Sequence, residues 1–283
     1  MSQRRVLPLL LVALATALPG CAWMRNVVGV RQAPVTCVLP PNASKEEIVA
    51  HLNGNTAKVN AWKTDSATIS IRGQGPIPIS VGASLYVEAP RNFRLKAHSL
   101  AGDEADLGSN PEHFWFWNKR NEERYVFRAR HDEPPEKMRR VPIPFQPDWI
   151  IEALGVISID PQEVTMQPGQ PGSNTVWLVA DKVSPQGLKI RKCTLVDTCQ
   201  GVIRQHAVYD MQSRLIARAI LSDHRLDART QAVLPRQIAL DWPAAQLGMT
   251  MTLSQLEVNP ARIPEQIWAV PNIAGYAVYE LGE

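Results

Sequence analysis

The sequence predicts an α+β fold, with one large antiparallel sheet of about 11–12 strands and two or three helices. Three observations carry that expectation. Apolar residues recur with period two through two long stretches of the chain. The segments between these runs are too short for crossover helices and are punctuated by Pro and Gly. Helical signals are few, the clearest being a capping box that opens at Ser44.

The chain begins with a segment that reads as an export signal rather than as structure. Arg4 and Arg5 form a short basic region, and Val6 to Leu18 is apolar apart from Pro8 and Thr16. As a helix that stretch would reach about 20 Å at 1.5 Å per residue, short of the roughly 30 Å of a bilayer core. Leu18-Pro19-Gly20-Cys21 ends it with the order of a lipobox, a large apolar residue, a small residue and a cysteine, although Pro19 is unusual there. Cys21 is therefore the expected lipidation site, with residues 1–20 removed as a lipoprotein signal. Ala22, where an aspartate would favour inner-membrane retention, points to the outer membrane facing the periplasm. Residues 21–43, with Pro34, Pro40 and Pro41, read as a lipid-anchored tether, and 44–283 as the folded domain.

Ser44 and Glu47 open a helix predicted to run for roughly 20 residues through Ile48, Leu52, Val59 and Trp62. Asn53-Gly54-Asn55 weaken its middle. After Asp65 the period changes to two, with Ala67, Ile69 and Ile71 alternating with Thr68, Ser70 and Arg72. Further strands are expected at Ile77–Glu88, Asn92–Ser99, His113–Asn118 and Arg124–Arg130. Asp103, Glu104 and Asp106 read as a solvated loop between strands, and the basic residues of 119–130 as a solvated sheet face. After the Pro-rich stretch Pro134–Pro147, Asp148–Leu154 forms a short helix with Pro147 in its first turn. A second strand run covers Gln162–Gln167, Thr175–Lys182, Leu188–Thr194, Val202–Tyr209, Leu215–Ser222, Gln237–Asp241 and Met249–Val258.

Charge is nearly balanced, at +3 over 30 basic and 27 acidic residues, and no basic cluster suggests a nucleic-acid surface. Four cysteines occur, at 21, 37, 193 and 199. With Cys21 acylated, three remain and any one pair of them could bond. Cys193 and Cys199 are near in sequence, but one lies on a strand and the other at a turn, which strains disulfide reach. No nucleophile elbow, phosphate-binding glycine loop, His-Glu-x-x-His or Cys-x-x-Cys is present. The histidines are scattered, and His206 with Asp210 reads as a chance surface pairing. Neither a metal nor a cofactor is expected, and the chain reads as a non-enzyme.

The positive signal is aromatic. Phe114-Trp115-Phe116-Trp117 places four large rings in succession on a predicted strand, Phe114 and Phe116 on one face, Trp115 and Trp117 on the other. A strand with one wet face would not be built so, because each ring buries about 150–250 Å². Both faces are therefore expected to be covered, either as a core strand beneath a helix or with one face lining an apolar chamber whose lid is Trp149, Ile150 and Leu154 of the short helix.

Several segments resemble the LolA/LolB-like lipoprotein-localisation family. Tyr86-Val87-Glu88-Ala89-Pro90-Arg91-Asn92-Phe93-Arg94-Leu95 is similar to its Pro-Arg-x-Phe-Arg segment, and the Trp115/Trp117 strand to its aromatic strand. Leu234-Pro235-Arg236-Gln237-Ile238, and Val258-Asn259-Pro260-Ala261-Arg262-Ile263-Pro264 with Trp268 and Pro271, resemble its C-terminal segments. The likeness runs over residues 42–272, with extra length around Pro134–Pro147 and Pro168–Gly172. It implies a strongly curved antiparallel sheet, an incomplete β-barrel covered by helices, around an apolar cavity that holds lipid or lipoprotein acyl chains. With Cys21 as membrane anchor, the expected role is lipoprotein sorting or insertion at the outer membrane. The alternative is an envelope sensor of the same fold that binds a protein partner.

Overall fold

In the computed structural model, residues 36–73, 79–133, 147–156 and 158–281 are described. The helix α1, Lys45–Thr56, opens with the expected box: the Ser44 hydroxyl accepts from the Glu47 amide, and the Glu47 carboxylate accepts from the Ser44 amide at 2.8 Å. It stops well short of twenty residues. Asn53 and Asn55 turn their side chains away to bond the backbone of Ile159 and Val233, so Val59 lies beyond the helix and Trp62 lies in the first strand. Polar residues that satisfy distant backbone groups end a helix more effectively than their modest propensity suggests.

Fifteen strands form one sheet among the described residues. The first six are β1 Ala61–Arg72, β2 Ile79–Glu88, β3 Asn92–Ser99, β4 Gly102–Ser109, β5 His113–Asn118 and β6 Tyr125–Arg130. After helix α2, Pro147–Ala153, come β7 Thr165–Pro168, β8 Thr175–Val183, β9 Lys189–Asp197, β10 Val202–Asp210 and β11 Leu215–Leu226. The last four are β12 Val233–Trp242, β13 Leu247–Ser254, β14 Glu257–Val258 and β15 Ala277–Glu280. The order across the sheet is β15-β6-β5-β4-β3-β2-β1-β13-β12-β11-β10-β9-β8-β7, with β14 also on β1. Two meanders thus join through β1 and β13, and β7 and β15 end the sheet without pairing to each other.

Two strands depart from the expected pattern. Asp103, Glu104 and Asp106 are not loop but belong to β4, whose acidic residues find partners on β3 and just past the end of β5. Glu104 pairs with Lys119 and Arg120, and Asp106 is buried against Arg94. Paired carboxylates can occupy a strand that their own propensity disfavours. The second is β15, which runs parallel to β6, so the sheet is not wholly antiparallel. With β4, β14 and β15 added, the strand count exceeds the expected twelve, and α1 and α2 are the α-helices among the described residues.

The inner face follows the period-two pattern. Leu85, Leu95, Leu107, Phe116 and Phe127 stand opposite one another in a row across β2 to β6. Phe114 and Phe127 share one apolar cluster with Ile190 and Val208 of β9 and β10. Those strands lie far apart in the sheet order, so the sheet curves to bring them round one core. Helix α1 buries Ile48, Val49 and Leu52 against Leu178, Ala180 and Val196 near the β7 end.

Residues 37–43, counted with the tether above, are held to this body. Cys37 is bonded to Cys199, the Val38 amide donates to the Cys199 carbonyl, and Leu39 and Ala43 are buried. Among the described residues Cys193 is the free thiol, half-buried on β9, and burial pushes it above the ordinary thiol value.

Candidate functional site

The four aromatics of β5 are all buried, and the strand sends them to two separate environments. Phe114 and Phe116 face the concave side, where they join Trp149, Ile150, Ile151, Ala153 and Leu154 of α2 and its end. Five of the seven residues expected to line a chamber therefore meet in one cluster. The helix is short, and five of its seven residues are apolar. Trp149 packs edge-on to Trp242 with centroids 5.9 Å apart.

Polar contacts fix α2 at its borders. Trp62 Nε1 donates to the Leu154 carbonyl at 3.2 Å, where the helix ends. Arg91 pairs with Asp148 at 3.1 Å, and Lys192 with Glu152 at 2.6 Å. Each of these ion pairs is partly exposed and is worth about 1 kcal/mol or less. Helix α2 is therefore held mainly by its apolar face. Trp149 is buried, and its Nε1 has no hydrogen-bond acceptor, which leaves one donor unsatisfied in the closed arrangement.

Beside Trp149 lies a cavity of about 90 Å³, lined by His131, Asp148, Gln186, Ile190 and Lys192 among others. Its His131 ring bonds the Asn110 carbonyl at 2.8 Å and tilts against Phe114. Burial pushes this imidazole below its ordinary value, against the opposing pull of that carbonyl. Pockets that enclose drug-sized ligands measure roughly 300–1,000 Å³, so the concave face here is a packed interior against which α2 lies.

Trp115 and Trp117 face the convex side. They pack with Val126 and with Val270, Ile273 and Tyr276 of the C-terminal segment, and Tyr276 meets Trp117 edge-on at 5.4 Å. The two indoles that sequence reasoning placed among chamber candidates thus sit under a C-terminal strap. Arg94 and Asp106, whose roles that reasoning missed, hold the strap down. Their ion pair closes at 2.7 Å, Trp115 Nε1 donates to Asp106 at 3.0 Å, and Arg94 Nη1 donates to the Ile267 carbonyl at 2.8 Å. Asn110 donates to the Trp268 carbonyl, and β15 follows on β6 with Arg128 paired to Glu280. The available signal was the two-residue alternation itself, because Arg94 and Trp115 occupy the parity opposite to Leu95 and Phe116.

Cys21 lies outside the described residues. His206 is not at the surface: it is buried on β10, its Nδ1 3.1 Å from the Thr194 hydroxyl, while Asp210 pairs with Arg214. Burial pushes the His206 imidazole below its ordinary value. No group of histidine, cysteine and carboxylate residues able to hold a metal occurs among the described residues.

No family model matches the sequence, and no curated protein matches it. Solved structures do match the fold. A DUF1329 family protein from Desulfovibrio piger aligns with TM-score 0.51 at 12% identity, covering 80% of this chain and 95% of that one. A putative outer membrane lipoprotein-sorting protein domain from Vibrio parahaemolyticus gives 0.52 at 8%, covering 79% and 97%. A LolA superfamily protein from Nitrosomonas europaea gives 0.50 at 8%, covering 80% and 98%. The chain has a LolA/LolB-like fold.

Proposed function

We propose that this protein is a cell-envelope binding protein, without a catalytic step, that takes up lipid or lipoprotein acyl chains between its concave sheet face and α2. The observation that carries this reading is the construction of the lid. A curved, largely apolar face is covered by a helix of seven residues, whose hold is apolar contact plus a few weak polar ties.

Energetics make exchange of lid for ligand reasonable. Fully burying a large apolar side chain is worth about 1.5–3 kcal/mol. Trp149, Ile150, Ile151 and Leu154 together therefore contribute roughly 6–12 kcal/mol of contact that α2 gives up on moving. An acyl chain of about fourteen methylenes returns roughly 11 kcal/mol at about 0.8 each. The two states lie near balance, as a protein that must both accept and release a chain requires. Cys21, if acylated, makes the protein a fixed receptor; without the acyl group the same body is a diffusing carrier. The fold shared with a lipoprotein-sorting domain and a LolA superfamily protein supports an envelope setting and a role in lipoprotein sorting.

A Cys21→Ser chain, purified from a lipid-containing host, is examined by native mass spectrometry and titrated with a fluorescent fatty acid. Bound lipid, or saturable uptake, is expected. Repeated recovery without lipid and no uptake would overturn the proposal. One observation favours the alternative of a sensor that binds a protein partner: the interior is already filled. A specific protein recovered with the chamber still closed would support that reading.

A further inference from the structure

A second concave site lies on the opposite, convex face, far along the sheet from the aromatic strand. There β1, β13, β12 and β11 lie side by side, and Arg72, Gly248, Asp241 and Arg218 stand directly opposite one another in a single row across them. The next outward-facing row holds Ser70, Thr250 and Ala239. Small residues at the middle of both rows leave a cavity of about 170 Å³ between the two arginines.

Gly248 widens the cavity. A Cβ there would lie 3.1 Å from Arg72 Nη2, so a side chain at this position would push the guanidinium aside by a few tenths of an ångström. Arg72 has no carboxylate partner among the described residues. Arg218 spends Nη2 on Asp241 at 3.2 Å, while its Nε is buried without an acceptor. The unspent donors are thus one whole guanidinium, the Nε of another and the hydroxyls of Ser70 and Thr250. A planar fork of N–H donors matches the paired oxygens of a phosphate. Against two arginines there is a single carboxylate, so the site carries net positive charge.

The geometry points to a binding site for a phosphate group in the cavity between Arg72 and Arg218, on the face of the sheet that α2 does not cover. Arg72 contacts two of its oxygens, and Ser70 and Thr250 donate to the others. The group arrives either as free phosphate or as the phosphodiester of a lipid headgroup, and the cavity excludes an acyl chain. The site stands apart from the acyl-chain proposal and neither requires the other.

The test titrates the full chain by calorimetry with inorganic phosphate and, separately, with glycerophosphoglycerol as a soluble headgroup. Saturable binding of at least one at a single site is expected; tighter phosphate identifies a free anion, tighter diester a headgroup. Arg72→Ala, at an exposed strand end, should weaken binding at least tenfold without altering the melting temperature. Gly248→Ala should weaken it at least threefold by displacing Arg72, and Asp241→Asn should tighten it about twofold. Absence of binding by both probes, or binding unchanged in both Arg72→Ala and Gly248→Ala, overturns the proposal.

Discussion

Replacing Trp149 by alanine separates a lid from an ordinary core helix. The side chain is 3% exposed and packs on Trp242, and its Nε1 makes no hydrogen bond, so the substitution removes apolar contact and no polar partner. Truncating a buried Trp costs about 3–5 kcal/mol in a core. If α2 opens on its own, that loss falls on the opening equilibrium, and 3 kcal/mol raises the open population roughly 150-fold. Native-state hydrogen exchange reads this at the Leu154 amide, which donates to Ile150 at 3.0 Å. Its exchange should accelerate by about two orders of magnitude, while amides of β2 and β3 slow-exchange as before. Acyl affinity should rise by up to the same factor, because the ligand no longer displaces a full lid. Suppose instead that Leu154 and β3 accelerate together and denaturant stability falls by the whole 3–5 kcal/mol. Then α2 unfolds only with the sheet, and the reading of it as a lid is refuted.

Other outcomes follow from the same geometry. Gly108→Ala places a Cβ 2.0 Å from Trp115 Cζ2, and the buried ring is tied to Asp106, so about 3 kcal/mol of stability should be lost in denaturant unfolding. Cys37→Ser or Cys199→Ser opens a loop of 162 residues and should lower stability by about 2–5 kcal/mol. Acid should destabilise the fold. His131 and His206 have imidazoles held below the ordinary value by burial, so the unfolded chain takes up protons first. Their contribution is intact above about pH 6.5 and is lost as pH falls through that value toward the folded pKa. The slope is at most about 1.4 kcal/mol per pH unit per histidine, and His206→Gln should flatten it in denaturant titrations at pH 5 to 8.

Periodicity made most of the sheet legible. β3 and β5 match the expected bounds, because each alternates sharply and is closed by polar or turn residues. What escaped was decided by distant partners. β4 reads as an acidic loop until Asp106 is seen beneath Arg94 and Trp115, and those contacts come from register rather than local sequence. That β1 begins at Ala61 rather than after Asp65 has a similar origin: its register on β2 shifts between Thr64 and Ala67, and the bulge reverses which residues face inward. The Cys37–Cys199 bond joins the start of the body to a turn 162 residues later, a separation on which local spacing is silent. For the candidate site, composition identified the right aromatics but could not say that the two faces of β5 receive unlike covers.

That difference in cover is what the proposed lid requires, since one face must move while the fold stays whole. The convex strap is tied by a buried bidentate ion pair, an indole-to-carboxylate bond and a paired strand. Removing one partner of such a pair leaves a buried charge and costs about 3–5 kcal/mol. The concave lid has partly exposed ion pairs and an indole without an acceptor. Its apolar contacts can be replaced by any hydrocarbon of similar size, whereas the directional contacts of the strap have no substitute among lipids. On the proposed reading, strand β5 is clamped from outside and covered reversibly from inside. Four consecutive aromatics suit that position, since both covers require an apolar surface and only one of them has to let go.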